Sequence, residues 1–331
     1  MKMKKPHKNI IQWLLKHLII NSEKDILKLE EITAGLTNHD YIIHTSKKKY
    51  FCKYAEPKKR VEYLPWEIRD RLTVEAKAIG LVTEFTKNTI KIPKIIFYDS
   101  VNSLLCLETV PEWSALLSDL LLSGKVGRWI GKKLGKNLAT IHESSLGIKK
   151  NRMKEKECLK KIRIPLTYKN ISPTKKIQKK IDELGKELLH NEICLVHTDY
   201  KPNNIFVDRD GEIIVVDFEF MHIWDPAPDC GFLIGIYIHY AFATEEKTRE
   251  YLQAIEDFWK SYKQNFTMAH EKSFENRVIQ HAGVQLLARL DWIIKFPSSQ
   301  KNTIRNIFRP LGEKMIMWEI KKVKDLKKYL F

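Results

Sequence analysis

The chain has no long apolar run, no paired cysteines and no glycine-rich phosphate motif, and each absence narrows what it can be. Its longest apolar stretch, Gly231 to Ala243, is thirteen residues and includes His239. A helix needs about twenty apolar residues to cross a bilayer, so membrane insertion is not expected. The five cysteines (52, 106, 158, 194 and 230) are odd in number and form no C-x-x-C pair. That pattern suits reduced thiols in the cytoplasm and disfavours a thiolate metal site. Neither G-x-G-x-x-G nor G-x-x-x-x-G-K-[ST] occurs, so a phosphate-binding loop has to take another form. No repeat and no Pro/Gly/Ser-rich linker divides the chain.

Acidic residues are also in deficit, with 41 Asp and Glu against 58 Lys and Arg, a net charge of +17. Such a surplus can attract nucleic acid, anionic membranes or nucleotides. The aromatic residues are not interleaved with the basic clusters, so nucleic acid is not an expected partner. Between Lys149 and Lys180, thirteen Lys or Arg face two Glu, and Pro165 and Pro173 interrupt the run. This segment reads as an irregular surface insertion with a solvated charged face; the sharper alternative is a basic rim that attracts an anionic substrate.

What is present can fill real cores: 331 residues, 44% hydrophobic and 10% aromatic, a length that suggests two lobes. The start, Met-Lys-Met-Lys-Lys, imitates a signal peptide. However, Gln12, Lys16 and His17 break the apolar stretch, and no small-residue cleavage site follows. Ile10, Ile11, Leu14, Leu15, Leu18 and Ile19 recur at helical spacing and predict an amphipathic helix packed on the fold. Strands are expected at Ile26–Thr33, His39–Thr45, Lys49–Tyr54, Ile95–Tyr98 and Ser103–Glu108, with a helix over Glu67–Lys87 inserted after the third. Beyond a connector at Thr109-Val-Pro111, helices are expected at about 114–122, 126–144, 174–190, 230–242, 246–265, 271–295 and 301–328.

The chemistry concentrates in His197-Thr-Asp199-Tyr-Lys201-Pro-Asn-Asn204, followed thirteen residues later by Asp217-Phe-Glu219. A turn carrying Asp199 and Asn204, then a short apolar strand (Ile213 to Val216) delivering Asp217, suits phosphoryl transfer. Asp199 would orient a substrate hydroxyl, and Asn204 and Asp217 would supply hard oxygens to Mg²⁺. Lys201 could reach the transferred group, and His197 reads as a scaffold for the turn. The basic partner expected on a first-lobe strand is Lys53, held by Glu75, with Glu67 in reserve. Gly35, Thr37 and Asn38, between two strands, offer backbone N–H groups to phosphate, though a hairpin turn explains Gly35 almost as well. Gly131 and Gly135 read as close helix packing.

With these residues in place, the chain resembles the aminoglycoside phosphotransferase and choline kinase-like family of small-molecule kinases over roughly residues 26 to 300. The resemblance is carried by His197-Thr-Asp199-x-x-x-x-Asn204, Asp217-Phe-Glu219-Phe and Trp224-Asp225-Pro-Ala-Pro-Asp229. It implies an α+β, two-lobed protein-kinase-like fold: a nucleotide-binding lobe with a small antiparallel sheet over 1–110, and a larger helical catalytic and substrate lobe over 111–331. By the same likeness Asp199 is the catalytic base, Asn204 and Asp217 are metal ligands, and Lys53 meets the phosphates of ATP or GTP. Glu108 and Val110 would hold the base through main-chain groups, Asp225 and Asp229 would brace the loop, and His142 would be structural. The implied partners are a nucleotide and a small hydroxyl substrate, acting on a monomer or homodimer in the cytoplasm.

Departures separate the relatives. Thr198 replaces the arginine of protein kinases, Glu219 replaces their glycine after Asp-Phe, and Asp225 follows Asp217 by only eight residues, which leaves no room for an activation loop. A small acceptor is favoured over a macromolecular one. A catalytically silent nucleotide- or nucleic-acid-binding relative is the remaining alternative. Among the residues that could line the acceptor site are Glu219, His222, Trp224, Arg289, Asp291 and Trp292. The acceptor itself is left open: an amino alcohol, a sugar, a nucleoside or an aminoglycoside-like compound.

Overall fold

The alternation of apolar and polar residues in the first hundred positions builds a sheet with two different faces. A computed structural model describes residues 5–32, 38–55, 71–154, 156–172, 174–271, 273–290 and 301–330. The chain divides into two compact units, Met1–Leu81 with Ile92–Glu112, and Val82–Lys91 with Trp113–Phe331.

In the first unit, helix α1 (Lys5–Lys16) precedes strands β1 (Ile26–Ile32), β2 (His39–Thr45) and β3 (Lys49–Tyr54). Helix α2 (Arg71–Thr86) follows, with its residues to Leu81 in this unit, then β4 (Ile95–Asp99) and β5 (Leu104–Glu108). The five strands form one sheet in the order β1-β2-β3-β5-β4, with every neighbouring pair antiparallel. Residues at period two, Tyr41 and Ile43, Tyr50 and Cys52, Leu104 and Cys106, point to one face. There they meet Ile10, Ile11 and Leu14 of α1, as the helical spacing of those residues predicts. Burying each such side chain contributes roughly 1.5–3 kcal/mol, enough to hold a twelve-residue helix that would not persist alone. The opposite face carries Lys53, and α2 approaches it there.

The second unit begins with β6 (Ala115–Leu116) and α3 (Leu117–Leu122), then α4 (Trp129–Ser144), α5 (Lys156–Tyr168) and α6 (Lys175–Glu187). Four short strands follow: β7 (Cys194–Val196), β8 (Ile205–Val207), β9 (Ile213–Val215) and β10 (His222–Trp224). Helices α7 (Ala227–Ala243), α8 (Thr248–Asn265), α9 (Phe274–Ala288), α10 (Lys301–Ile316) and α11 (Lys327–Leu330) complete it. The strands make two small sheets, β10-β7 and β6-β8-β9. Gly131 and Gly135 let α4 lie directly on α8. A Cβ added at these positions would come within 2.0 Å of the Ala254 carbonyl and 2.3 Å of the Phe258 carbonyl. The thirteen-residue apolar run becomes the body of α7, buried along nearly its whole length, and among the described residues no helix is long and apolar enough to cross a membrane.

The basic segment from 149 to 180 departs from expectation. Most of it is helical rather than irregular: α5 occupies its middle and α6 begins within it. Pro165 lies inside α5, three residues before its end, where the missing N–H costs a single bond. The face of α5 turned inward is apolar, with Leu159 and Ile162 buried, and Lys160 is fully buried too. Its Nζ reaches Glu192 at 2.7 Å and the Leu189 carbonyl at 3.2 Å. The expected helix over 301–328 is likewise broken after Ile316. Trp318 turns left-handed at φ +69°, and Glu319 N–H closes back on the Lys314 carbonyl at 2.9 Å.

Candidate active site

Each unit carries one buried charged group of the expected chemistry. In the first, the pleat of β3 places Lys53 on the face opposite Tyr50 and Cys52, and Nζ lies 2.8 Å from both Oε1 and Oε2 of Glu75 on α2. Lys53 is 5% exposed and Glu75 not at all, so the ammonium is held in one direction by a charge-assisted fork. Asn38 is buried at the start of β2, while Gly35, Thr37 and the reserve carboxylate Glu67 lie outside the described residues. Glu108 ends β5 with its N–H donated to the Lys94 carbonyl at 2.8 Å, so a main-chain contact from Glu108 has to use its carbonyl. Val110 lies half-buried two residues on.

In the second unit, β7 runs into a tight turn at Thr198, which adopts φ +61°. A left-handed threonine costs on the order of 1–3 kcal/mol and persists only where its surroundings hold it. Asp229, in the first turn of α7, does so: its Oδ2 accepts the His197 N–H and its Oδ1 the Thr198 N–H, each at 2.7 Å. His142 from α4 spans the same carboxylate, with Nε2 3.3 Å from Asp229 Oδ2 and Nδ1 2.7 Å from the Tyr262 hydroxyl. Asp225 accepts the Ala227 N–H at 2.9 Å, and Asn191 at 3.0 Å and Arg277 at 3.1 Å donate to its other oxygen. The Asp-Pro-Ala-Pro-Asp run therefore fastens the turn and starts α7 at once.

His197 is fully buried, and burial pushes its pKa down, so the ring is neutral. Nδ1 accepts the Asp199 N–H at 3.3 Å, which assigns the proton to Nε2, 3.1 Å from the Val216 carbonyl. The ring is a positioning group that ties the turn to the strand leading into Asp217. Asp199 Oδ2 receives Lys201 Nζ at 2.7 Å and Asn204 Nδ2 at 2.9 Å. Burial opposes its ionisation, but Lys201 and Arg163 together hold its pKa well below the ordinary carboxylate range. Asp199 thus stays charged at neutral pH, as an orienting group for a hydroxyl requires.

Asn204 and Asp217 leave the same end of one hairpin. Ile205 pairs with Val215 in the ladder, and Val216 N–H donates to the Asn204 carbonyl at 3.0 Å. With Nδ2 of Asn204 given to Asp199, its Oδ1 is the atom left to ligate. A neutral oxygen and a carboxylate fit Mg²⁺, which prefers hard donors. Among the described residues no group of three His, Cys, Asp or Glu forms a metal cage, so magnesium here would take its other ligands from phosphate and water.

Arg163 was not among the expected site residues. It comes from the basic segment, yet its side chain is 12% exposed, and Nη2 donates to the Thr198 carbonyl and lies 3.7 Å from Asp199 Oδ1. Its only sequence signal was membership of a lysine-rich stretch, which points to solvent. Asp291 and Trp292 fall outside the described residues.

A family model described as the phosphotransferase enzyme family matches residues 28–270. Among solved structures, the fold is similar to the choline kinase LicA from Streptococcus pneumoniae, at 18% identity over 95% of this chain and 100% of that one, TM-score 0.54. It is similar also to a choline kinase from Cryptosporidium parvum, at 17% identity over 98% and 96%, TM-score 0.54. A third is an ethanolamine kinase from Plasmodium vivax, at 14% identity over 97% and 93%, TM-score 0.51. No curated protein sequence gives a significant match. The kinase-like α+β fold is shared with these structures, and by its match over most of its length the chain belongs to the phosphotransferase enzyme family.

Proposed function

We propose that this phosphotransferase moves the γ-phosphoryl group of ATP or GTP to a hydroxyl of a small polar metabolite, with Asp199 as the orienting base. The observation that carries the reading is the Asp199 turn: an ionised carboxylate fixed by His197, Asn204 and Lys201, with Asp217 delivered beside Asn204. Phosphoryl transfer through a loose transition state asks the protein mainly to position groups and neutralise charge. Asp199 would accept the hydroxyl's hydrogen bond and set its line of attack. Lys201 would stand by the transferred group, and Lys53, kept in place by Glu75, would contact nucleotide phosphates. Magnesium held by Asn204 and Asp217 would neutralise charge building between the phosphates. LicA is known in complex with AMP, which supports an adenine nucleotide. The short Asp217-to-Asp225 spacing favours a small acceptor over a macromolecular one. Purified protein should consume nucleotide with a hydroxyl acceptor, and Asp199→Asn should lower turnover about 10²–10⁴-fold while nucleotide affinity stays within about threefold. Full turnover by that variant in a coupled assay would remove Asp199 from its role.

A further inference from the structure

Two cysteines far apart in the sequence meet in the first unit. Cys52 on β3 and Cys106 on β5 are 54 positions apart and stand directly opposite each other in the antiparallel ladder. Ala55 N–H donates to the Ser103 carbonyl at 3.0 Å, which makes the adjoining couple, Tyr54 and Leu104, a non-hydrogen-bonded pair. The register runs on without a shift, so Cys52 and Cys106, two residues along, are a non-hydrogen-bonded pair as well. Opposed Cα atoms stand about 4.5 Å apart in such pairs, within the range of about 4.4–6.8 Å that a disulfide spans. Their side chains leave the pleat on the same face, and the sulfurs lie 2.9 Å apart. Closing to a bond of about 2.0 Å asks only for thiol rotation and a small approach of strands that are already paired.

Both side chains are fully buried, in the apolar cluster that α1 joins through Ile10, Ile11 and Leu14. Buried cysteines often act simply as small apolar residues. Packing of that kind does not require two sulfurs to face one another, whereas a bond between them does. Burial pushes the Cys52 thiol well up, so little of the thiolate that attacks an oxidant forms while the cluster stays dry. Reaction therefore waits on an opening of the cluster. α1 has twelve residues and would not persist alone, which makes it the part of the cluster most ready to lift.

We propose that Cys52 and Cys106 form an oxidation site, converted by hydrogen peroxide to a cross-strand disulfide when α1 lifts from the sheet and returned to thiols by a small dithiol. One thiol, as its thiolate, attacks a peroxide oxygen: an S–O bond forms, the O–O bond breaks, and the hydroxide released takes up the thiol's proton as water. The second sulfur then attacks the sulfenic sulfur, forming the S–S bond and expelling hydroxide, which leaves as water with the second proton. Two thiols lose two electrons in all, and one peroxide becomes two waters. The bond staples β3, the strand that carries Lys53, to β5 across the span that includes α2. This site does not depend on the kinase reading.

The test exposes the folded protein to hydrogen peroxide, blocks the remaining thiols with iodoacetamide in urea and maps the peptides by mass spectrometry. A peptide linking Cys52 to Cys106, lighter by two hydrogen atoms than the two thiol peptides together, should accumulate and disappear on treatment with dithiothreitol. In Cys106→Ala the chemistry should stop at a Cys52 sulfenic acid, trapped with dimedone. Leu14→Ala thins the cover and should form the bond about tenfold faster, with melting curves confirming that each variant is folded. In the oxidised wild type, amide exchange in β3 and β5 should slow about tenfold or more and recover on reduction. Two alkylated cysteines after peroxide treatment, or one carried to sulfonic acid with no link, would overturn the pairing, as would a link that forms only in urea. A rate unchanged by Leu14→Ala overturns the role of α1, and exchange unchanged by oxidation overturns the staple.

Discussion

The Lys53–Glu75 pair and the Asp199 turn are both buried clusters of charge, but their balance differs. In the first unit the Lys53 ammonium is gripped by both oxygens of Glu75 at 2.8 Å, a fork that holds it in one direction. In the second unit one carboxylate faces Lys201, Arg163 and the field of Arg289. A balanced pair is destabilised by the loss of either member, because each leaves an uncompensated charge in a dry place. A carboxylate with several cationic neighbours can lose one at little cost to stability, since the remaining ones still compensate it. The difference separates a lysine fixed in one direction from a carboxylate shared among several donors.

The largest effect is expected where the turn is fastened. Asp229→Ala leaves the N–H groups of His197 and Thr198 buried without acceptors and removes the support for a left-handed Thr198. We expect a loss of about 4 kcal/mol in urea unfolding, with Asp229→Asn losing about half as much because one acceptor oxygen survives. Equal stability of Asp229→Ala and wild type would show that the turn holds itself.

The comparison itself is broken or upheld by single removals at the two clusters. Glu75→Ala should cost about 3 kcal/mol by removing the carboxylate fork from the buried Lys53 ammonium, while the double change Lys53→Met with Glu75→Leu should recover much of it. Lys201→Met should cost less than about 1 kcal/mol, because Arg163 still faces Asp199. A Lys201→Met variant as unstable as Glu75→Ala would mean that the Asp199 cluster has no charge to spare.

The contrast extends to titration. His222, His239 and His281 are buried in the second unit, and burial pushes the pKa of each down to about 4. Their unfolded value is about 6.5, so the unfolded chain binds more protons at every pH between the two. Their contribution is complete above about pH 6.5 and is lost as the pH falls toward 4. Summed over three rings the loss should be on the order of 2 kcal/mol by pH 6, read as a lower denaturant midpoint. His281→Phe should flatten that slope, and an unchanged slope would mean the ring is already charged in the folded chain.

How far these clusters could be read in advance follows from how local their signals are. The Asp199 turn was legible because Asp199, Lys201 and Asn204 lie within six residues, and β3 was legible by alternation. Lys53 and Glu75 are 22 residues apart; strand alternation put Lys53 on a definite face, and Glu75 was expected only as a carboxylate of the following helix. Arg163 was not legible. It follows Lys160 and Lys161 in a basic run, and nothing local says that α5 turns it toward Thr198 and Phe220 while Lys160 is buried against Glu192. Pro165 reinforced the misreading, since a proline near a helix end looks the same in sequence as one that forbids the helix.

Helix ends without glycine are the other silent feature, and they give the smallest effect. α1 stops at Leu18, left-handed at φ +56° and 83% exposed, with Ile19 N–H closing on the Leu14 carbonyl at 2.9 Å. α10 stops in the same way at Trp318, which is 48% exposed. A Cβ in this conformation costs roughly 1–2 kcal/mol, against which glycine loses somewhat more chain entropy on folding. Leu18 packs little, so Leu18→Gly should stabilise the protein by about 0.5–1 kcal/mol, whereas Leu18→Ala should change it by less than about 0.3 kcal/mol. Trp318→Gly should gain less, because the half of that ring which is covered is lost with it. If Leu18→Gly and Leu18→Ala have the same urea midpoint, the stop at α1 is set by the packing of Ile20 and Leu14 beneath it and not by the backbone angle at residue 18.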